Sequence, residues 1–202
     1  MTPRTPRADS ARNREALLDA GMRALRRDVD APLDAIAAEA GLTRRAVYGH
    51  FTGRDELVDA VIERGAARIA DAVGPARDED PLVAIARLGS CLWDAIAEVR
   101  AVARMAVRSR HAATVGRALA PVRDRLRESL SRAAEAGAVR TDVDVDVLAS
   151  LVERAALDVL EVEPESGRLL AMTHPLCAAG VGAAAAARAA AMADADLADG
   201  AR

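Results

Sequence analysis

The chain has 202 residues, 51% of them apolar and 29% charged, with a net charge of −3; that is enough apolar material for one large domain or two small ones. Every one of its 28 cationic residues is arginine, which excludes a P-loop lysine and Schiff-base chemistry. Its two cysteines (Cys91, Cys177), three histidines (His50, His111, His174) and three aromatics (Tyr48, Phe51, Trp93) are too few and too scattered for a metal centre, a dithiol site or a stacking platform for single strands, so no metal and no cofactor is expected.

In chain order, the basic start (Arg4, Arg7) reads as a flexible arm over residues 1–9, with a minor-groove contact or a solvated tail as its two readings. No apolar stretch follows it as in a secretory signal, and no uncharged apolar run of 18 residues occurs anywhere. A cytoplasmic protein with no membrane segment is therefore expected. A first helix from Ser10 carries Leu17, Leu18, Gly21, Met22 and Leu25 on one face and ends at Arg26-Arg27. Arg12 and Arg14 on this helix are candidates for phosphate contacts. A short helix after Pro32 carries Leu33, Ile36, Ala37 and Ala40, and Gly41 stops it. Thr43 caps a third helix holding Val47, Tyr48 and Phe51. Thr52-Gly-Arg-Asp55 opens a fourth as a capping box, with Leu57, Val58, Val61, Ile62, Ile69 and Val73 as its stripe. Gly74-Pro75 closes that helix and Asp78-Glu79-Asp80 reads as a linker. Longer helices are predicted over about 81–99, 101–110, 115–136, 144–162 and 173–195, with Thr141–Asp146 as a capping turn rather than a strand. The expected fold class is all-α, with about nine helices.

Residues 33–51, LDAIAAEAGLTRRAVYGHF, form a helix-turn-helix pattern. Alanines allow the two helices to cross closely, Gly41 makes the turn, and Ile36, Leu42, Val47 and Phe51 lock the pair onto the first helix. Arg44 and Arg45 fall in the first turn of the second helix, where they can reach guanine edges or phosphates in a major groove. The charge distribution agrees. Residues 1–54 hold 10 Arg against 7 acids, or +3, and residues 55–202 hold 18 Arg against 24 acids, or −6. A mildly basic head on an acidic body suits a DNA-reading module joined to a second domain.

Over residues 10–73 the sequence resembles the TetR family of bacterial repressors. Ile36, Ala37, Ala40, Gly41, Thr43, Val47, Tyr48, His50, Phe51 and Leu57 match the family pattern at fixed spacing. Gly49 stands where the family often has an aromatic residue, and Arg54 replaces the usual Lys. The resemblance implies Thr43, Tyr48, His50 and Arg54 as phosphate contacts beside Arg44 and Arg45. It implies a three-helix DNA-binding domain over 10–55, a connecting helix over 56–77 and a ligand-binding and dimerisation domain over 78–202. The implied partners are a near-palindromic double-stranded operator, a small-molecule effector and a second copy of the chain.

In the second domain, Val145, Leu148, Val152, Ala155, Val159 and Val162 follow steps of 3 and 4, and residues 178–193 hold 13 Ala or Gly among 16 positions. Val145, Leu148, Val152, Ala155 and Val159, with Ala183 and Ala186, are the expected dimer interface. Between residues 100 and 132, nine arginines meet only Asp124 and Glu128, and Arg100, Arg104 and Arg108 share a helix face. Two readings stand: ion pairing with the acidic fourth helix and C-terminal third, or an anionic effector's site. Trp93, Arg104, Met105, Arg108 and His111 are the candidate ligand contacts, beside the plainer reading that the apolar ones are core. No nucleophile–base pair, metal cluster or glycine loop supports catalysis, so an enzyme is not expected. An all-α binding protein or enzyme of similar fold, or an architectural DNA binder without an effector, are the alternatives.

Overall fold

In the computed structural model the described residues are 6–73, 80–97, 99–162 and 164–200. They are helical and hold no strand, in line with the all-α expectation. Eleven α-helices are found among them: α1 Pro6–Arg27, α2 Leu33–Glu39, α3 Arg44–Tyr48, α4 Arg54–Val73, α5 Pro81–Ile96, α6 Arg100–Arg108, α7 Ala112–Ala118, α8 Ala120–Glu135, α9 Val145–Asp158, α10 Pro164–Ala178 and α11 Ala183–Gly200. A 3-10 turn, Val159–Glu161, follows α9.

Packing divides the chain into two compact units. Among the described residues, one joins 6–67 to 99–118, and the other joins 68–73 and 80–97 to 119–162 and 164–200. Residues 99–118 thus pack with the N-terminal helices. The expected arm over 1–9 is split: residues 1–5 lie outside the described residues, and α1 already runs from Pro6.

The first unit is built on α1. Leu17, Leu18 and Leu25 are buried with Ile36 of α2, Val47 of α3, Phe51, and Leu57, Val58 and Val61 of α4. Each such side chain contributes on the order of 1.5–3 kcal/mol by leaving water. Gly21 is the close-approach point, since a Cβ there would lie 3.0 Å from Leu57 and Val61. Val102 and Ala106 of α6 join the same core. Thr52 and Glu56 order the start of α4: the Thr52 amide and hydroxyl both donate to the Glu56 carboxylate, at 2.5 and 2.6 Å. These bonds hold the Glu56 carboxyl below its ordinary pKa. The acid in the capping interaction is therefore Glu56, not Asp55.

In the second unit, α5 packs against α8, α10 and α11. Asp80 caps α5 by accepting from the Leu82 amide at 2.8 Å, and Asp144 caps α9 by accepting from the Asp146 amide at 2.8 Å. The crossing of α5 and α10 is tight, because a Cβ on Gly89 would sit 2.0 Å from the Ala171 carbonyl oxygen. The helix predicted over 173–195 is two helices. Gly180, at φ 89°, ends α10, and the Val181 amide reaches back to the Leu176 carbonyl at 3.1 Å. This is the glycine C-terminal motif, and it overrides the continuous alanine run. Pro175 stays inside α10 instead of breaking it.

The expected dimer seam is corrected by this packing. Leu148, Val152, Ala155, Val159 and Ala186 are 0–6% exposed within one chain, so they are internal core and offer no surface to a second copy. Val145 packs half-buried against the same core, and of the seven residues Ala183 alone is exposed.

Candidate nucleic-acid interface

The helix-turn-helix is formed by α2, a turn at Gly41 and α3. Gly41 adopts φ 68°, a left-handed conformation that costs glycine least, and the Leu42 amide returns to the Ala37 carbonyl at 3.0 Å. Thr43 caps α3: its hydroxyl oxygen accepts from the Ala46 amide at 3.2 Å. Val47 and Phe51 are buried beneath, and the Arg14 guanidinium lies 5.3 Å over the Phe51 ring. With its inner face anchored, α3 turns Thr43, Arg44, Arg45 and Tyr48 to solvent, and Tyr48 keeps 48% exposure despite being aromatic.

The two exposed arginines of α3 differ. Arg44 donates from one terminal nitrogen to Asp34 of α2 at 3.1 Å and from the other to the Tyr48 hydroxyl at 3.4 Å. Its guanidinium carbon lies 5.6 Å from the Tyr48 ring centre, within cation–π range. The Tyr48 hydrogen bond, and after it the Asp34 charge, strengthen its charged form. Arg45 is exposed and makes no side-chain hydrogen bond or ion pair among the described residues. His50 is half-buried at the C-terminal end of α3, its amide bonded to the Val47 carbonyl at 2.9 Å.

Arg54 is half-buried, and its Nε and one terminal nitrogen donate to the carbonyls of Ala31 and Val29, at 2.9 and 2.6 Å. These two bonds brace the turn between α1 and α2. Asp34 is the residue that sequence reasoning missed. An acid in the first turn of α2 is ordinary helix-dipole chemistry, and its pairing with Arg44 depends on the angle between the two helices.

The candidate ligand contacts are distributed between the two units. Trp93 belongs to the second, buried against Val159 and Ala171. A Cβ on Gly167 would strike the Trp93 ring at 1.8 Å. Arg104, Met105, Arg108 and His111 belong to the first unit. There Met105 packs against the α1–α4 core, and Arg104 and Arg108 are exposed on the side of α6 opposite Val102 and Ala106. His111 is buried, and its Nδ1 is 2.8 Å from an Asp59 carboxylate oxygen of α4. Arg110 pairs with Asp55 at 2.5 Å. Ion pairing to the acidic face of α4 therefore exists at Arg110, one of the nine arginines, and His111 contacts Asp59 beside it.

The family described as bacterial regulatory proteins, tetR family, matches residues 17–61. An uncharacterized HTH-type transcriptional regulator of Pseudomonas putida, TtgW, is 40% identical over 57 residues, covering 27% of this chain and 42% of that protein. The matched part thus spans less than half the length of this relative. SmeT, the repressor of the Stenotrophomonas maltophilia multidrug efflux pump SmeDEF, superposes with a TM-score of 0.64 at 25% identity, over 82% of this chain and 89% of that one. Its complex with triclosan superposes equally well, at 0.64 and 24% identity, over 82% and 90%. RolR in complex with resorcinol shares the fold at a TM-score of 0.69 and 20% identity, over 90% and 94%. The family match lies in the helix-turn-helix head and the structural likeness extends over most of the chain, so the chain carries a helix-turn-helix head similar to that of the TetR family on a fold shared with such regulators.

Proposed function

We propose that this protein is a repressor that holds a near-palindromic operator as a homodimer and lets it go when a small molecule binds. The observation that carries the reading is the outer face of α3, where Thr43, Arg44, Arg45 and Tyr48 stand exposed on a helix anchored by Val47 and Phe51. Side chains on the first turns of a second helix are those that reach base edges in helix-turn-helix recognition. Arg45 is the base-reading candidate, Arg44 and Tyr48 border it, and Thr43 and His50 are placed for phosphate. Arg54 acts behind them as a brace.

A second copy is best accommodated on the outer faces of α9 and α10, which pack against each other in the chain. Val147 and Leu151 on α9, and Leu169 and Leu170 on α10, are large apolar side chains 36–60% exposed. Side chains of this kind on neighbouring helices suit burial by a symmetric partner better than permanent contact with water. SmeT with triclosan and RolR with resorcinol favour an aromatic small molecule as effector class. The effector must bind the DNA-incompetent state more tightly, since equal affinity for both states shifts nothing.

The experiment is selection of duplexes from a random pool by the full chain, followed by footprinting and a screen of small aromatic compounds for release. The expected result is an enriched inverted repeat, protected over two half-sites about 34–36 Å apart. Arg45→Ala should weaken binding roughly 5–150-fold and relax one base position. Absence of an enriched sequence would overturn the reading.

A further inference from the structure

Asp34 places a carboxylate on the face that meets DNA. Its side chain is 59% exposed in the first turn of α2, and it accepts from Arg44 of α3 at 3.1 Å. Arg44, itself 66% exposed, is held on its other side by the Tyr48 hydroxyl and ring. A helix start gains from a negative charge, but that gain does not require the acid to take the recognition arginine one helix away. An anion in contact with a guanidinium largely cancels its charge as felt by a phosphate several ångströms off, and the carboxylate itself repels phosphate. A guanidinium has five N–H donors, and in this arrangement two nitrogens each direct one donor to Asp34 and Tyr48. The remaining donors stay available to a base edge.

The consequence differs between kinds of DNA. Binding to arbitrary sequence rests on neutralised phosphates, while discrimination rests on contacts to base edges. A pairing that removes charge but spares donors lowers the first more than the second. We propose that Asp34 is a specificity-determining residue, holding Arg44 in one pose and suppressing the phosphate contacts that Arg44 would otherwise make on any sequence. This rests on the DNA-binding reading of α3.

The test uses the full chain and two duplexes of equal length, one enriched from a random pool by the wild-type protein and one with that sequence scrambled. Affinities are measured over a range of salt for wild type, Asp34→Asn, Arg44→Ala and the double variant, with melting temperatures as a check on folding. Asp34→Asn should bind the scrambled duplex roughly 3–10-fold more tightly, with a salt slope steeper by about one unit. Affinity for the enriched duplex should stay within about twofold, so the specificity ratio falls. With Arg44 absent, the same Asp34 change should leave the ratio where it is. Asp34→Ser, which also lacks the charge, should repeat the result and exclude a base contact by the new asparagine. A ratio unmoved by Asp34→Asn, or one that falls equally without Arg44, overturns the proposal alone. A wild-type protein that enriches no duplex overturns the DNA-binding reading and this proposal with it.

Discussion

In the unit that carries the reading head, Leu17, Leu18, Leu25, Ile36, Val47, Leu57 and Val58 fill the interior beside Ala20, Ala24, Ala31, Ala37, Ala60 and Ala106. In the other unit, Leu148, Met172 and Leu176 share the interior with Ala86, Ala133, Ala149, Ala179, Ala186, Ala190 and Ala193. Both interiors mix large and small side chains, but alanine takes the larger share in the second, where helix backbones come closest, as at Gly89 against Ala171. A large aliphatic side chain on a short helix has one favourable face, whereas alanine sits on any face at little cost and leaves orientation to its few larger neighbours.

The comparison breaks most visibly at two adjacent residues of α9. Val152 is 1% exposed and Leu151 is 42% exposed. Val152→Arg buries an unpaired charge, so it should cost several kcal/mol and abolish the cooperative melt of the second unit. Leu151→Arg should leave the melt near wild type while sedimentation shifts toward monomer. Equal melting of both variants would mean that the faces of α9 have been assigned wrongly.

Two glycines give the next largest contrast. Gly89→Ala forces a methyl group into a backbone carbonyl and should destabilise by about 1–3 kcal/mol, beyond any gain in helix propensity. At Gly65 on α4 the nearest atom to a new Cβ is the Met22 terminal methyl at 3.8 Å. Gly65→Ala should therefore stabilise by about 0.4–1 kcal/mol. Chemical denaturation of both variants measures the pair.

The smallest effect is electrostatic. Burial pushes the Asp59 carboxyl up, but hydrogen bonds from His111 and Thr114, with the charges of His111 and Arg117, outweigh it and hold the carboxyl below its ordinary pKa. A group whose folded pKa is depressed contributes stability above its unfolded pKa and loses it as pH falls through the folded value. The advantage of wild type over Asp59→Asn should accordingly be present near neutrality and shrink as pH falls below the ordinary carboxylate value of about 3.9. Asp59 is 39% exposed, so solvent screening keeps the difference small. A stability gap that stays constant with pH would remove the His111–Asp59 pair from the account of the first unit.

Legibility follows the same contrast. The helix-turn-helix was readable because its determinants are local: a left-handed glycine, a threonine cap three residues from the amide it satisfies, and large residues spaced to one face. The helices of the second domain were readable too, but not their faces. The 3-and-4 spacing from Val145 to Val159 identified an apolar stripe correctly and said nothing of whether its own chain or another covers it. The break at Gly180 was hidden in an alanine-rich run, where a turn and a continued helix have nearly the same composition.

By itself, the sequence determined the all-α class, the helix-turn-helix and the arginines on its outer face, because helix period, turn conformation and capping act within a few residues. Only the tertiary structure decided the partners of side chains distant in sequence. It turned Arg54 onto the carbonyls of Val29 and Ala31, set Asp34 against Arg44, placed His111 on Asp59, and buried the α9 seam inside its own chain. Those pairings depend on how helices cross, and crossing is settled by the shapes of whole packed surfaces rather than by any short stretch of chain.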